Sequence, residues 1–169
     1  DSLAQLRPSH SEFYYKKNLY RSEFHGKTND TYIVDGKSGI AHYLNNQNDT
    51  ILCEKYDHET DSIISYRLIP TEEKVMGYET QIIEIVGKYS TTRFWVGTDL
   101  KVNPEDYSKH LAYNWYFYLK ETDGGVILKT EHDFAKFSMN GIAINISEKE
   151  VPDSMFELPS NSVVIPCED

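Results

Sequence analysis

The residues that could do chemistry are led by six histidines, His10, His25, His42, His58, His110 and His132. None belongs to an HExxH pair or lies four residues from another, the spacing that sets two imidazoles on one helix face around a metal ion. His58-Glu59 is half of that motif and has no further ligand at a matched distance along the chain, so it reads as an exposed loop pair. Asp57, Glu59 and Asp61 alternate like the start of a calcium loop, but the glycine at the sixth position and the closing bidentate glutamate are missing. Cys53 and Cys167 stand far apart and outside any CxxC or Cys/His arrangement, so no zinc site is expected. They either pair as a disulfide in an oxidising compartment or stay two thiols. No metal ligand is assigned.

Catalytic groupings are equally sparse. No GxSxG elbow is present, and no Ser, His and acid order stands out from chance. Glu72-Glu73 and Glu121 with Asp123 could exchange protons only if burial shifted their pKa values, and they lie in polar loop sequence. Neither GxGxxG nor a Walker loop occurs, so no nucleotide cofactor is implied. The expectation is a noncatalytic protein with no catalytic residues and no cofactor.

The charge narrows the partners. With 27 acidic against 17 basic residues the formal net charge is −10, and the basic run Lys16-Lys17 with Arg21 is no phosphate-binding cluster, so nucleic acid is excluded as a partner. The same sign repels anionic lipid headgroups. No apolar run approaches the ~20 residues that span a bilayer. The start at Asp1-Ser2-Leu3 reads as trimmed, by a processed export signal or otherwise, which leaves lipid anchorage through a removed N-terminal segment open.

Chemistry of binding rather than reaction therefore rests on apolar and aromatic surface. Aromatics make up 13% of the chain, with thirteen tyrosines, a usage that suits sheets and half-wet ring positions. Tyr78, Ile83, Phe94, Trp95, Trp115, Phe117 and Ile127 are the candidates for lining an apolar cavity.

Strands must position these rings. Asp1 to Ser11 reads as a loose lead-in, and Glu12 to His25 as one long strand with rings on both faces. The turn Asp35-Gly36-Lys37-Ser38-Gly39 joins two strands, and Ile51 to Tyr56 and Ser62 to Ile69 follow around the acidic loop Asp57 to Asp61. Tyr78 to Val86 and Thr91 to Val96 make another pair. A helix is expected from Pro104 to Tyr113, because Asn103 can cap it, proline suits its first position and Glu105 and Asp106 favour its positive end. Trp115 to Lys120 alternates like a strand, Asn140-Gly141 is a hairpin signal, and Ile142, Ile144 and Ile146 point to one half-buried face. One domain is the economical reading for 169 residues.

Met76-Gly77-Tyr78, Thr92-Arg93-Phe94-Trp95-Val96, Thr98-Asp99-Leu100, Gly125-Val126-Ile127-Leu128-Lys129, Ala143 and Val151-Pro152-Asp153-Ser154-Met155-Phe156-Glu157-Leu158-Pro159 recur in an order that resembles the DUF4412-type exported proteins of Bacteroidetes, related to the LolA/LolB-like lipoprotein carriers. The resemblance implies a mainly β (α+β) fold: a curled antiparallel sheet or half-barrel with one or two short helices on its concave side, around an apolar cavity. It implies a periplasmic or otherwise extracytoplasmic binding protein for a lipid-like or other hydrophobic small molecule. The alternative is an envelope structural or sensory module that binds another protein through a sheet edge or an aromatic face.

Overall fold

The computed structural model describes residues 8–27, 29–45 and 49–167. It is mainly β, with eleven strands in two antiparallel-rich sheets, neither of them closed, and one short α-helix among the described residues. No helix among them is long and apolar enough to cross a membrane. The chain gathers into two compact units, Asp1–His58 with Asp106–His110 and Glu150–Asp169, and Glu59–Glu105 with Leu111–Lys149.

In the first unit, β1 (His10–Lys16), β2 (Leu19–His25), β3 (Asp30–Asp35), β4 (Ile40–Asn45) and β5 (Thr50–Lys55) form an antiparallel meander. The short β11 (Val163–Ile165) adds in parallel beside β5, and a disulfide joins Cys53 to Cys167. The expected turn between β3 and β4 is built as its residues suggest. Asp35 Oδ1 accepts the backbone N–H groups of Lys37 and Ser38, and Gly39 takes a φ of +70°. The stretch read as one long strand is instead the β1–β2 hairpin, reversed at Lys17-Asn18 with Lys17 at a φ of 50°. That turn contains no glycine, which hides it from a reading based on turn residues. The polar stretch Asn45 to Thr50, which the sequence suggests as a tip between two strands, falls partly outside the described residues.

Ahead of β11, the chain around residues 151–156 packs on β1 and β2 of this sheet. A 3-10 turn at Asp153–Phe156 is anchored to β1 and β2: Lys16 Nζ donates to Val151 O at 2.8 Å and pairs with Asp153, and an Arg21 guanidinium N–H donates to Met155 O at 2.9 Å.

In the second unit, β6 (Ile63–Val75), β7 (Tyr78–Gly87), β8 (Ser90–Lys101), β9 (Gly125–Phe134) and β10 (Ser138–Ile142) form an antiparallel sheet in the order β10-β9-β8-β7-β6. Met76 and Gly77 both take positive φ, 53° and 85°, which matches the twist of a two-residue hairpin. The Met76-Gly77-Tyr78 motif is thus accounted for by turn geometry. At the β7–β8 reversal the Asp61 carboxylate accepts from Lys88 N–H, Tyr89 N–H and the Ser90 hydroxyl.

Helix placement departs from expectation. Asn103 Oδ1 accepts Glu105 N–H at 3.2 Å, so the capping signal is used, but only a 3-10 turn forms at Pro104–Tyr107. The α-helix, α1, spans Trp115–Glu121, where a strand was expected. Its buried residues Tyr118 and Leu119, with half-buried Trp115 and the buried C-cap residue Thr122, are spaced i, i+3, i+4 and i+7. That is a helix face, and packing overrides the β preference of four consecutive aromatic side chains. α1 ends in a Schellman arrangement: Gly124 N–H reaches Leu119 O and Asp123 N–H reaches Lys120 O, with Asp123 and Gly124 at positive φ.

Asn140-Gly141 does not turn the chain. It lies inside β10, opposite Glu131 and Thr130, while residues 135–137 make the reversal, closed by Phe134 N–H to Phe137 O. The face expected to be half-buried is open as well, with Ile142 59% and Ile144 78% exposed, because the chain beyond Ile142 joins no strand. Ile144→Asp is accordingly expected to change the unfolding free energy by no more than about 0.5 kcal/mol, and a urea melt checks it.

α1 covers one face of this sheet, with the rings of Phe94 and Tyr118 at 5.1 Å and those of Tyr66 and Phe117 at 5.0 Å. The other face carries a ladder of alternating charge directly in register, Arg67, Glu84, Arg93 and Glu131. Hydrogen bonds from Arg67 and then Arg93 hold the Glu84 carboxyl below the usual carboxylate range, against the opposing effect of burial.

Candidate functional site

The residues expected to line a cavity do not converge. Ile83 and Phe94 face each other across β7 and β8 at 0% and 5% exposure, with Tyr118 of α1 packed on the Phe94 ring and Trp115 on Tyr118. They belong to the packed core of the second unit. Phe117 stacks edge-on against Tyr66, and half-buried Ile127 lies opposite Val96. Trp95 alternates onto the other face of β8, where its indole N–H donates to Glu73 and the Lys129 ammonium sits 4.0 Å from the ring centre. Tyr78, at the hairpin, donates its hydroxyl to Glu148. A half-open depression of about 200 Å³ lies at the C-terminal end of α1. Gln81, Lys101, Glu121 and Asp123 on its walls make it polar.

A more continuous surface lies on the first unit, among residues that were read only as strand rings. The register of its sheet places Phe13 opposite Ser22, Ser22 opposite Tyr32, Tyr32 opposite Tyr43, Tyr43 opposite Leu52 and Leu52 beside Ile165. Paired residues project to the same face, so these six form one row across all six strands. Phe24 fills the place above small, buried Ser22: its ring meets Phe13 and Tyr32 edge-on, each at 6.0 Å, and Tyr32 and Tyr43 lie 4.9 Å apart. Phe13, Leu52 and Ile165 are 46%, 39% and 45% exposed, and the rings between them are half-buried.

The two sides of the row differ. On one side the next row, Tyr15, Tyr20, Val34 and Ala41, is closed by residues 106–110. Lys109 N–H donates to Gly36 O at 3.0 Å, and a Cβ on Gly36 would lie 2.5 Å from the Tyr107 ring, so glycine is needed there for the close approach. Tyr107 and His110 pack on Tyr20, whose hydroxyl is hydrogen-bonded to His110 Nε2 at 2.9 Å. Burial pushes the His110 pKa down to about 3 and raises Tyr15 and Tyr107 above their ordinary values. These groups are locked in their neutral forms near neutral pH. On the other side the row has a polar rim, where Asp30 accepts from the Tyr43 hydroxyl at 2.8 Å and from the Asn45 amide at 3.3 Å.

An apolar aromatic strip with open ends and a hydrogen-bonded rim has the composition of a contact surface. Its signal in the sequence was the alternation Phe13-x-Tyr15, Tyr20-x-Ser22-x-Phe24 and Tyr32-x-Val34, which becomes a row only once the hairpin register is known. On the reverse face of β1 and β2 the register sets His10 against His25 and Glu12 against Glu23. Glu12, Glu23 and His25 bring one donor atom each within 4.8 Å of one another. Compared with protein-family models, curated proteins and solved structures, the chain matches none.

Proposed function

We propose that this chain is a noncatalytic, extracytoplasmic binding module that engages another protein through the aromatic row of the six-stranded sheet. The observation that carries the reading is the in-register row from Phe13 through Tyr32, Tyr43 and Leu52 to Ile165. Rings positioned by a backbone ladder lose little side-chain entropy on contact, and aromatic anchors dominate binding energy at protein interfaces. The net charge of −10 disfavours nucleic acid and anionic membrane and leaves neutral or basic protein surfaces as partners. The Cys53–Cys167 disulfide fits an oxidising compartment such as the periplasm.

The test pairs binding with stability. Leu52→Asp and Phe13→Asp, both at exposed positions, are expected to weaken retention of the partner from an envelope extract at least about tenfold while leaving the melting temperature within a few degrees of wild type. A protein retained equally by wild type and both variants overturns the assignment of the row. If no variant-sensitive protein is found and an acyl chain copurifies in organic extracts, the container reading implied by the family resemblance takes its place.

A further inference from the structure

We propose that Glu12, Glu23 and His25 form a binding site for one divalent transition-metal cation of the zinc class, on the sheet face opposite the aromatic row. His25 Nε2 lies 3.3 Å from Glu12 Oε2 and 3.7 Å from Glu23 Oε2. The first is a long hydrogen bond and the second lies beyond hydrogen-bond reach. Both are also close to the edges of a tetrahedral site, since donors bound at ~2.0–2.2 Å to a central zinc stand about 3.4 Å apart. The three donors come from two strands whose pairing fixes their spacing, Glu12 opposite Glu23 and His25 two residues along β2. The site is therefore assembled by register.

The surroundings hold the donors in place. Arg21 Nε donates to Glu23 Oε1 at 2.6 Å and its guanidinium also donates to Met155 O, which fixes the Glu23 carboxylate and leaves Oε2 toward His25. Tyr14 hydrogen-bonds Glu12. The His10 ring stacks on His25 with centroids 4.4 Å apart and planes 13° from parallel, limiting rotation of the imidazole. Outer groups of this kind orient metal ligands. Two carboxylates and a cation carry opposite charges, and Arg21 offsets only one of the two acids. The imidazole nitrogen selects zinc-class ions over calcium and magnesium, which favour all-oxygen shells. Glu12 is exposed, so water would complete the coordination of an ion held by these three donors. A bound ion would staple the edge strand β1 to β2.

Calorimetric titration of the full chain with Zn²⁺ alone, in a noncoordinating buffer near neutral pH, is expected to give one site with a micromolar dissociation constant and a rise in melting temperature. His25→Ala and Glu12→Gln should each weaken binding at least about tenfold and abolish the thermal shift. Glu12 is a surface residue, so its variant reads the site even if His25→Ala perturbs the hairpin. His10→Ala, which removes a neighbour and no ligand, should leave the affinity within about threefold. Absence of saturable binding below millimolar Zn²⁺ overturns the proposal. So does unchanged affinity in Glu12→Gln, or Ca²⁺ binding as tightly as Zn²⁺.

Discussion

Replacing Cys53 and Cys167 together by serine is expected to lower the unfolding free energy of the first unit by about 3–5 kcal/mol. The two residues are 114 positions apart in sequence with Cα atoms 4.6 Å apart, so the bond closes a very long loop. In the chain-entropy description, a loop of that length restricts the unfolded chain by roughly 4–5 kcal/mol. The folded side of the balance points the same way. β11 has only three residues, all exposed, paired to β5 alone. Without the covalent clasp, little holds that strand beyond its ladder and the Val163 N–H to Asp49 O bond. Urea melts of wild type and variant under nonreducing conditions, followed by far-ultraviolet circular dichroism, give the difference. Amide exchange at Val164 and Ile165 reads the loss locally. Equal midpoints would show that the strand and the 3-10 turn at Asp153–Phe156 hold themselves.

How much of this was legible follows from the range of each signal. The turn at Asp35–Gly39 and the hydrogen bond from Glu105 N–H to Asn103 are made by residues within a few positions of each other and form as the sequence indicates, although the expected helix stops at a 3-10 turn. The helix at Trp115–Glu121 depends on which side chains find a core. Trp115, Tyr118, Leu119 and Thr122 are spaced for it, but Trp115, Phe117 and Leu119 alternate as well, and only packing against Phe94 separates the two periods. Asn140-Gly141 shows the limit of a local preference, since β10 continues through it to keep its pairing with β9.

The candidate surface was less legible than the fold, for a geometric reason. Phe13, Tyr32, Tyr43 and Leu52 are spread over forty positions and meet only through register. Register in turn rests on the Lys17-Asn18 reversal, which carries no glycine. A one-residue slip of β1 would replace Phe13 on that face with Glu12 or Tyr14. The same dependence hides the grouping of Glu12, Glu23 and His25, which have no metal-binding spacing along the chain.

Phe94→Ala is expected to cost about 3–5 kcal/mol of stability in the second unit, the range for deleting a buried phenyl side chain. Phe94 is almost fully buried, faces Ile83 across the β7–β8 ladder and packs beneath Tyr118, with His132 edge-on to its ring at 5.6 Å. These neighbours are fixed by the sheet and by α1, so collapse into the space left behind is limited and the cavity term adds to the lost transfer energy. The outcome separates two roles for the same residue. A ring lining an open pocket could be truncated at a small cost in stability and a large one in ligand binding, whereas a ring filling a core does the reverse. Trp95 and Trp115 both belong to the second unit, and Trp115 touches Tyr118, so tryptophan fluorescence during urea unfolding reports this unit directly. A loss below about 1 kcal/mol with the fold intact would place Phe94 at the wall of a cavity and restore the container reading.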